Sequence, residues 1–98
     1  MNDRELLELA AKAAGVTIKY NYLGTQDARC PWNPLEDDGD ALRLAVMLNL
    51  TVYHWPNEVC VCDEKGTVNE DLARCGDLYA ATRRAIVLAS AEIGKGMK

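Results

Sequence analysis

Four cysteines and a single histidine are the residues of this 98-residue sequence with the widest chemical range. Cys60 and Cys62 stand two apart in a segment that alternates like a strand, a spacing that points both side chains the same way. Structural zinc sites use paired C-x2-4-C knuckles, and no C-x-x-C occurs. Cys30 and Cys75 would complete a four-thiolate set only by convergence in the fold. The expectation is therefore buried, reduced thiols, with no metal and no cofactor. Met1-Asn2-Asp3-Arg4-Glu5 is polar and leads into no signal-peptide core, which points away from export and from disulfides. His54 and a cysteine could act as a nucleophilic pair only from one side of a sheet, and the register below sets them on opposite faces.

Carboxylates and arginines are the next candidates. Glu36-Asp37-Asp38-Gly39-Asp40 resembles a calcium loop in composition alone. Placing Gly39 at the loop's glycine position puts Pro34 at the first ligand and Ala45 at the last, which no calcium loop tolerates. Arg83 and Arg84 lie in the second turn of a helix that starts near Gly76-Asp77, where arginines and a helix N-terminus together attract anions. A Gly-rich phosphate loop is absent, so solvent-exposed salt bridges remain the competing reading. Trp32 can plug the core or stack on a flat ligand. The groove bounded by Trp32, Asn33, Asp37 and Asp38 on one side and Arg83 and Arg84 on the other is the expected ligand or partner site. No catalytic set emerges, and the reading leans away from an enzyme.

Charge narrows the partner. The net charge is −4, and residues 31–71 carry nine acids against Arg43 and Lys65. An acidic middle argues against duplex nucleic acid, whose binders present a basic stripe. It fits solvated loops, or long-range attraction to a basic protein surface. No apolar run approaches the ~18 residues a membrane span needs.

These groups must be positioned by one small domain, residues 1–98, since a domain takes roughly 100–200 residues. Asn2 with Glu5 resembles a capping box for a first helix whose Leu6, Leu9, Ala10 and Ala13 share a face, with Gly15 as its stop. Residues 16–22 alternate as a strand. Residues 24–40 form a long loop rich in turn formers, and Asp40 is expected to cap a second helix over 41–48. A hairpin over 50–55 and 59–63 turns at Pro56-Asn57. Its register pairs His54 with Val59, Tyr53 with Cys60, Val52 with Val61 and Thr51 with Cys62. Both hairpin faces are largely apolar, which predicts cover on both sides. Glu64-Lys65-Gly66 reads as a turn, with Val68 in an edge strand. Asp77 caps a last helix from 78 to about 93, ended by Gly94. Tyr79, Thr82, Ile86, Ala89 and Ile93 line one face of it. Val87 and Leu88 lie on another, which calls for a central layer or an interface between copies. The sum is an α+β domain with a small, mostly antiparallel sheet.

Two stretches carry a resemblance. Trp32-Asn33-Pro34-Leu35 with Asp37-Asp38-Gly39-Asp40-Ala41-Leu42-Arg43-Leu44-Ala45 is the first, and Tyr79-Ala80-Ala81-Thr82-Arg83-Arg84-Ala85-Ile86-Val87 through Ala91-Glu92-Ile93-Gly94 is the second. Together they resemble a family of small tailed-phage and prophage proteins, the phage ABA (α-β-α) sandwich domain. Residues 56–76 match nothing in it. The resemblance implies a three-layer α/β/α sandwich of three helices and a 3-4-stranded sheet, acting in the cytoplasm of an infected bacterium. It transfers no catalytic residue. The functional expectation is a non-enzymatic binding module that sequesters a host bacterial protein or a small anionic, nucleotide-like signal, possible counter-defence. The alternative is an assembly protein that self-associates as a homo-oligomer through Val87 and Leu88.

Overall fold

In a computed structural model of the protein, residues 2–18, 32–63, 66–71 and 76–97 are described. Helix α1 (Asp3–Ala14) begins where the sequence places it, with the Asn2 side chain accepting the Glu5 N–H at 2.8 Å. Gly15 closes it in the left-handed region at φ 71°. The Gly15 N–H reaches the Lys12 carbonyl and the Val16 N–H the Ala11 carbonyl, so two orphan carbonyls are satisfied as in a Schellman motif. Residues 16–18 take no strand conformation, and the rest of the expected first strand, 19–22, lies outside the described residues, as does the 24–31 part of the long loop.

Helix α2 (Asp38–Met47) starts earlier than expected, because Asp37 rather than Asp40 is its cap. The hairpin strands β1 (Thr51–His54) and β2 (Glu58–Cys62) pair in the expected register, and β3 (Thr67–Asp71) adds antiparallel to β2. The described sheet is three-stranded, in the order β1-β2-β3. Glu64 and Lys65 of the expected turn are outside the described residues.

Helix α3 (Leu78–Lys95), capped by Asp77, is the central element and packs against α1, α2, β2 and β3. The result is a compact α+β fold with helices packed on the sheet. Alanine makes this possible: Ala81, Ala85, Ala89 and Ala91 are all buried and allow neighbours close to the α3 backbone. Gly94 does not end the helix. It lies inside α3, where an ideal Cβ would overlap the Leu9 carbonyl of α1. Its job is the α1–α3 crossing. Both apolar faces of α3 pack within the chain: Ile86, Val87, Ala89 and Ala91 are buried, Thr82, Leu88 and Ile93 are half-buried, and Tyr79 is 72% exposed.

The inner face of the sheet carries Val59 and Val61, neither with any exposure, and they join Leu6, Leu44 and Val87 in one core cluster. The outer face differs from expectation. Tyr53 and Trp55 remain 53% and 56% exposed, so among the described residues the hairpin is closed over on one side only.

Candidate functional site

Residues 32–43 fold back on themselves through their polar groups. The Asn33 side chain accepts the Leu35 N–H, while its carbonyl accepts the N–H groups of Glu36 and Asp37. Pro34 is fully buried inside this turn, and Trp32 packs half-buried against the core. Asp37 accepts the Asp40 N–H at 2.7 Å to cap α2, which frees the Asp40 carboxylate for other partners. It accepts the Asn33 N–H at 3.0 Å and an Arg43 N–H at 2.6 Å.

Arg83 ties this segment to α3. Its Nε donates to the Leu35 carbonyl at 2.9 Å and its Nη1 to the Asp38 carboxylate at 2.6 Å. Arg83 is thus brought against Asp38 and the Leu35 carbonyl, in the segment that also carries Trp32, Asn33 and Asp37. Arg84, one residue on, points elsewhere, as neighbours on a helix do. It lies 3.7 Å from an Asp3 carboxylate oxygen and 3.9 Å from Glu70, whose side chain is only 2% exposed. The two arginines therefore do not converge, and each already faces a carboxylate. Glu36, Asp37 and Asp38 are exposed, and Asp38 meets the Arg83 guanidinium directly, so an anion would have to displace a carboxylate there.

Val87 has no exposure and Leu88 is half-buried, both packed on the chain's own core. The apolar second face of α3 is thereby accounted for within one chain, leaving Val87 no surface to offer a second copy. His54 reaches from the edge strand β1 to α3, its Nε2 3.0 Å from the Thr82 hydroxyl. That hydroxyl donates to the Leu78 carbonyl at 2.6 Å, so the histidine nitrogen carries the donating N–H. His54 is a strand-to-helix tie, on the face away from Cys60 and Cys62.

Three features carry no motif and escape sequence reasoning. The first is the outer sheet face, where exposed Tyr53 stands opposite Cys60 and exposed Trp55 opposite Glu58. The register signalled which residues share that face, but not that it stays open. The second is the outer side of α2, with Leu42, Val46 and Met47 at 65%, 71% and 57% exposure. The third is a cleft of about 930 Å³ between the turn after α2 (Leu48, Asn49), the β2–β3 turn (Asp63, Thr67) and the end of α3 (Glu92, Ile93, Met97). None of the expected site residues lines it.

Among the described residues no three His, Cys, Asp or Glu side chains are grouped to hold a metal, and no helix is long and apolar enough to cross a membrane. Cys30 and Cys75 lie outside the described residues. No family model matches the sequence, and no curated protein or solved structure matches it.

Proposed function

We propose that this chain is a protein-binding module that docks a partner with an apolar and basic surface on its outer sheet face. The observation that carries this reading is the exposure of Tyr53 and Trp55 beside Glu58 on a three-stranded sheet. Single exposed apolar side chains need no explanation, whereas large aromatics together on one face are the residues that dominate protein interfaces. The acidic middle of the chain steers a basic partner toward them. The resemblance of its two motifs supplies the setting: a small phage or prophage accessory protein in a bacterial cytoplasm, acting by sequestering a host protein. A host protein is favoured over a small anionic signal because Arg83 and Arg84 already face carboxylates.

The test is affinity capture from bacterial lysate with the unaltered chain and with a Tyr53→Thr, Trp55→Thr double variant of unchanged circular dichroism. A protein retained by the former and lost by the latter is the expected result. Equal retention by both overturns the reading.

Self-association is the second reading, and the exposed Leu42, Val46 and Met47 on α2 favour it over any contact through Val87. Leu42 and Val46 are one helical turn apart and so share a stripe. A homodimer in native mass spectrometry that a Leu42→Glu, Val46→Lys variant dissolves would establish it. A strictly monomeric mass at high micromolar concentration removes it.

A further inference from the structure

The two cysteines of β2 are closer to each other than strand geometry alone requires. Residues two apart on a strand have Cα atoms roughly 6.6 Å apart, yet the Sγ atoms of Cys60 and Cys62 are 3.5 Å apart. Both are half-buried on the outer sheet face, and the Thr67 hydroxyl of β3 lies 3.5 Å from the Cys62 sulfur. Two sulfurs bound to one tetrahedral zinc at ~2.3 Å each are ~3.8 Å apart, so an ion bridges this pair with about 0.3 Å of adjustment. The sulfurs already stand at the separation that one bridging ion requires.

We propose that Cys60 and Cys62 form a two-thiolate chelate for a soft, thiophilic cation, zinc being the commonest, open on its solvent side. On binding, each S–H gives its proton to solvent, two S–Zn bonds form and the ion sheds two waters, with no change of oxidation state. Thiolates select soft ions over calcium or magnesium. Among the described residues the pair supplies two donors, which leaves the remaining positions to water or to a ligand from a partner.

The surroundings suit a cation. Glu58 precedes Cys60 by two residues on β2, so its exposed carboxylate shares the outer face with the pair and favours a cation there. Across the ladder Cys60 faces Tyr53 on β1 and the neutral Asn69 on β3, and no other titratable group of those strands stands opposite it. Binding releases protons and so strengthens as pH rises.

The experiment uses the full, reduced chain and zinc chloride alone. Alkylation by iodoacetamide is mapped cysteine by cysteine, with and without the metal. Zinc is expected to slow alkylation of Cys60 and Cys62 together and leave Cys30 and Cys75 unchanged. Phenylarsine oxide, which condenses with two thiols and releases water, is expected to add once and to bridge the same pair. Cys60→Ser or Cys62→Ser weakens zinc binding roughly 100-fold, since even outer partners of a metal site are worth about 10–100-fold. A Cys30→Ser, Cys75→Ser variant retains it. Protection of no cysteine, or zinc binding that survives Cys60→Ser, overturns the proposal. Protection of all four overturns it in favour of a four-thiolate centre.

Discussion

On the inner face of the sheet Val59 and Val61 have no exposure and even Glu70 is closed in, 4% exposed and within reach of Arg84. On the outer face, one residue along the same strands, Tyr53 and Trp55 keep more than half their surface and Cys60 and Cys62 are half-exposed. The inner side spends its polar groups on one another, through the Asp37 cap, the Arg83 tie and the His54–Thr82 bond. Groups that satisfy each other inside the chain hold the fold, whereas groups with spare surface are available to something else. The two arginines that sequence reasoning placed in a binding site belong to the first class. The aromatics and thiols of β1 and β2 belong to the second.

The comparison breaks most visibly at Gly94. If the inner side is a tight assembly, Gly94→Ala forces the α1 and α3 backbones apart, because the atom it meets is the Leu9 carbonyl rather than a flexible side chain. Overpacking against backbone belongs at the upper end of its usual range, so the expected loss is about 3 kcal/mol, read by urea unfolding. A loss below about 0.5 kcal/mol would mean that the crossing is loose.

Arg83→Ala comes next. It removes two hydrogen bonds from a guanidinium that is 19% exposed, although Asp38 is 66% exposed and its share is screened by solvent. The expected cost is about 1–2 kcal/mol of stability, most of it from the Leu35 carbonyl bond. An anion-contact role predicts the reverse, unchanged stability with lost ligand affinity. Asp37→Ala should cost about 1 kcal/mol and Asp37→Asn very little, as asparagine caps equally well. Thermal unfolding of the three variants orders these effects.

The limits of the sequence become clear at these same positions. The hairpin register was readable because Pro56-Asn57 fixes the turn and period-two alternation does the rest. Helix α1 was readable because Asn2 stands at capping-box spacing from Glu5 and Gly15 follows the last residue of the apolar face. Asp37-Asp38-Gly39-Asp40, by contrast, supplies several equivalent caps; Asp37 accepts the Asp40 N–H while Asp40 is engaged by Asn33 and Arg43, a division of partners that residue type does not decide. A glycine near a helix end looks the same whether it stops the helix or admits a neighbour, so Gly94 was misread. Of the groove residues, Asp38 meets Arg83 directly, and spacing does not say that such polar groups close on each other rather than on a ligand. Apolar alternation on both faces of a hairpin likewise marks what could be covered, not what is.

On the outer face the stability effects are small by the same reasoning. Tyr53→Thr and Trp55→Thr keep strand-compatible residues at exposed positions and should shift stability by about 0.5 kcal/mol or less. If either costs as much as Arg83→Ala, that face is part of the core and not a spare surface.

The smallest expected effect is the sharpest probe of the outer face, since it concerns one proton. Cys60 holds its thiol proton above the ordinary range chiefly through Cys62, with Glu58 the least of the causes. A raised value means less thiolate at a given pH, so Cys60 should alkylate more slowly than a free thiol near pH 8. Cys62→Ser removes the largest cause and should raise that rate most, and Glu58→Gln should raise it modestly. The folded chain keeps this proton where an unfolded chain loses it, so ionisation favours unfolding. The contribution to stability is complete below the ordinary thiol value of 9.0 and declines as pH rises through the raised folded value. An alkylation rate at Cys60 that Cys62→Ser leaves untouched would show that the two sulfurs do not interact in solution, and the outer face would then lose its chemical character while keeping its aromatic one.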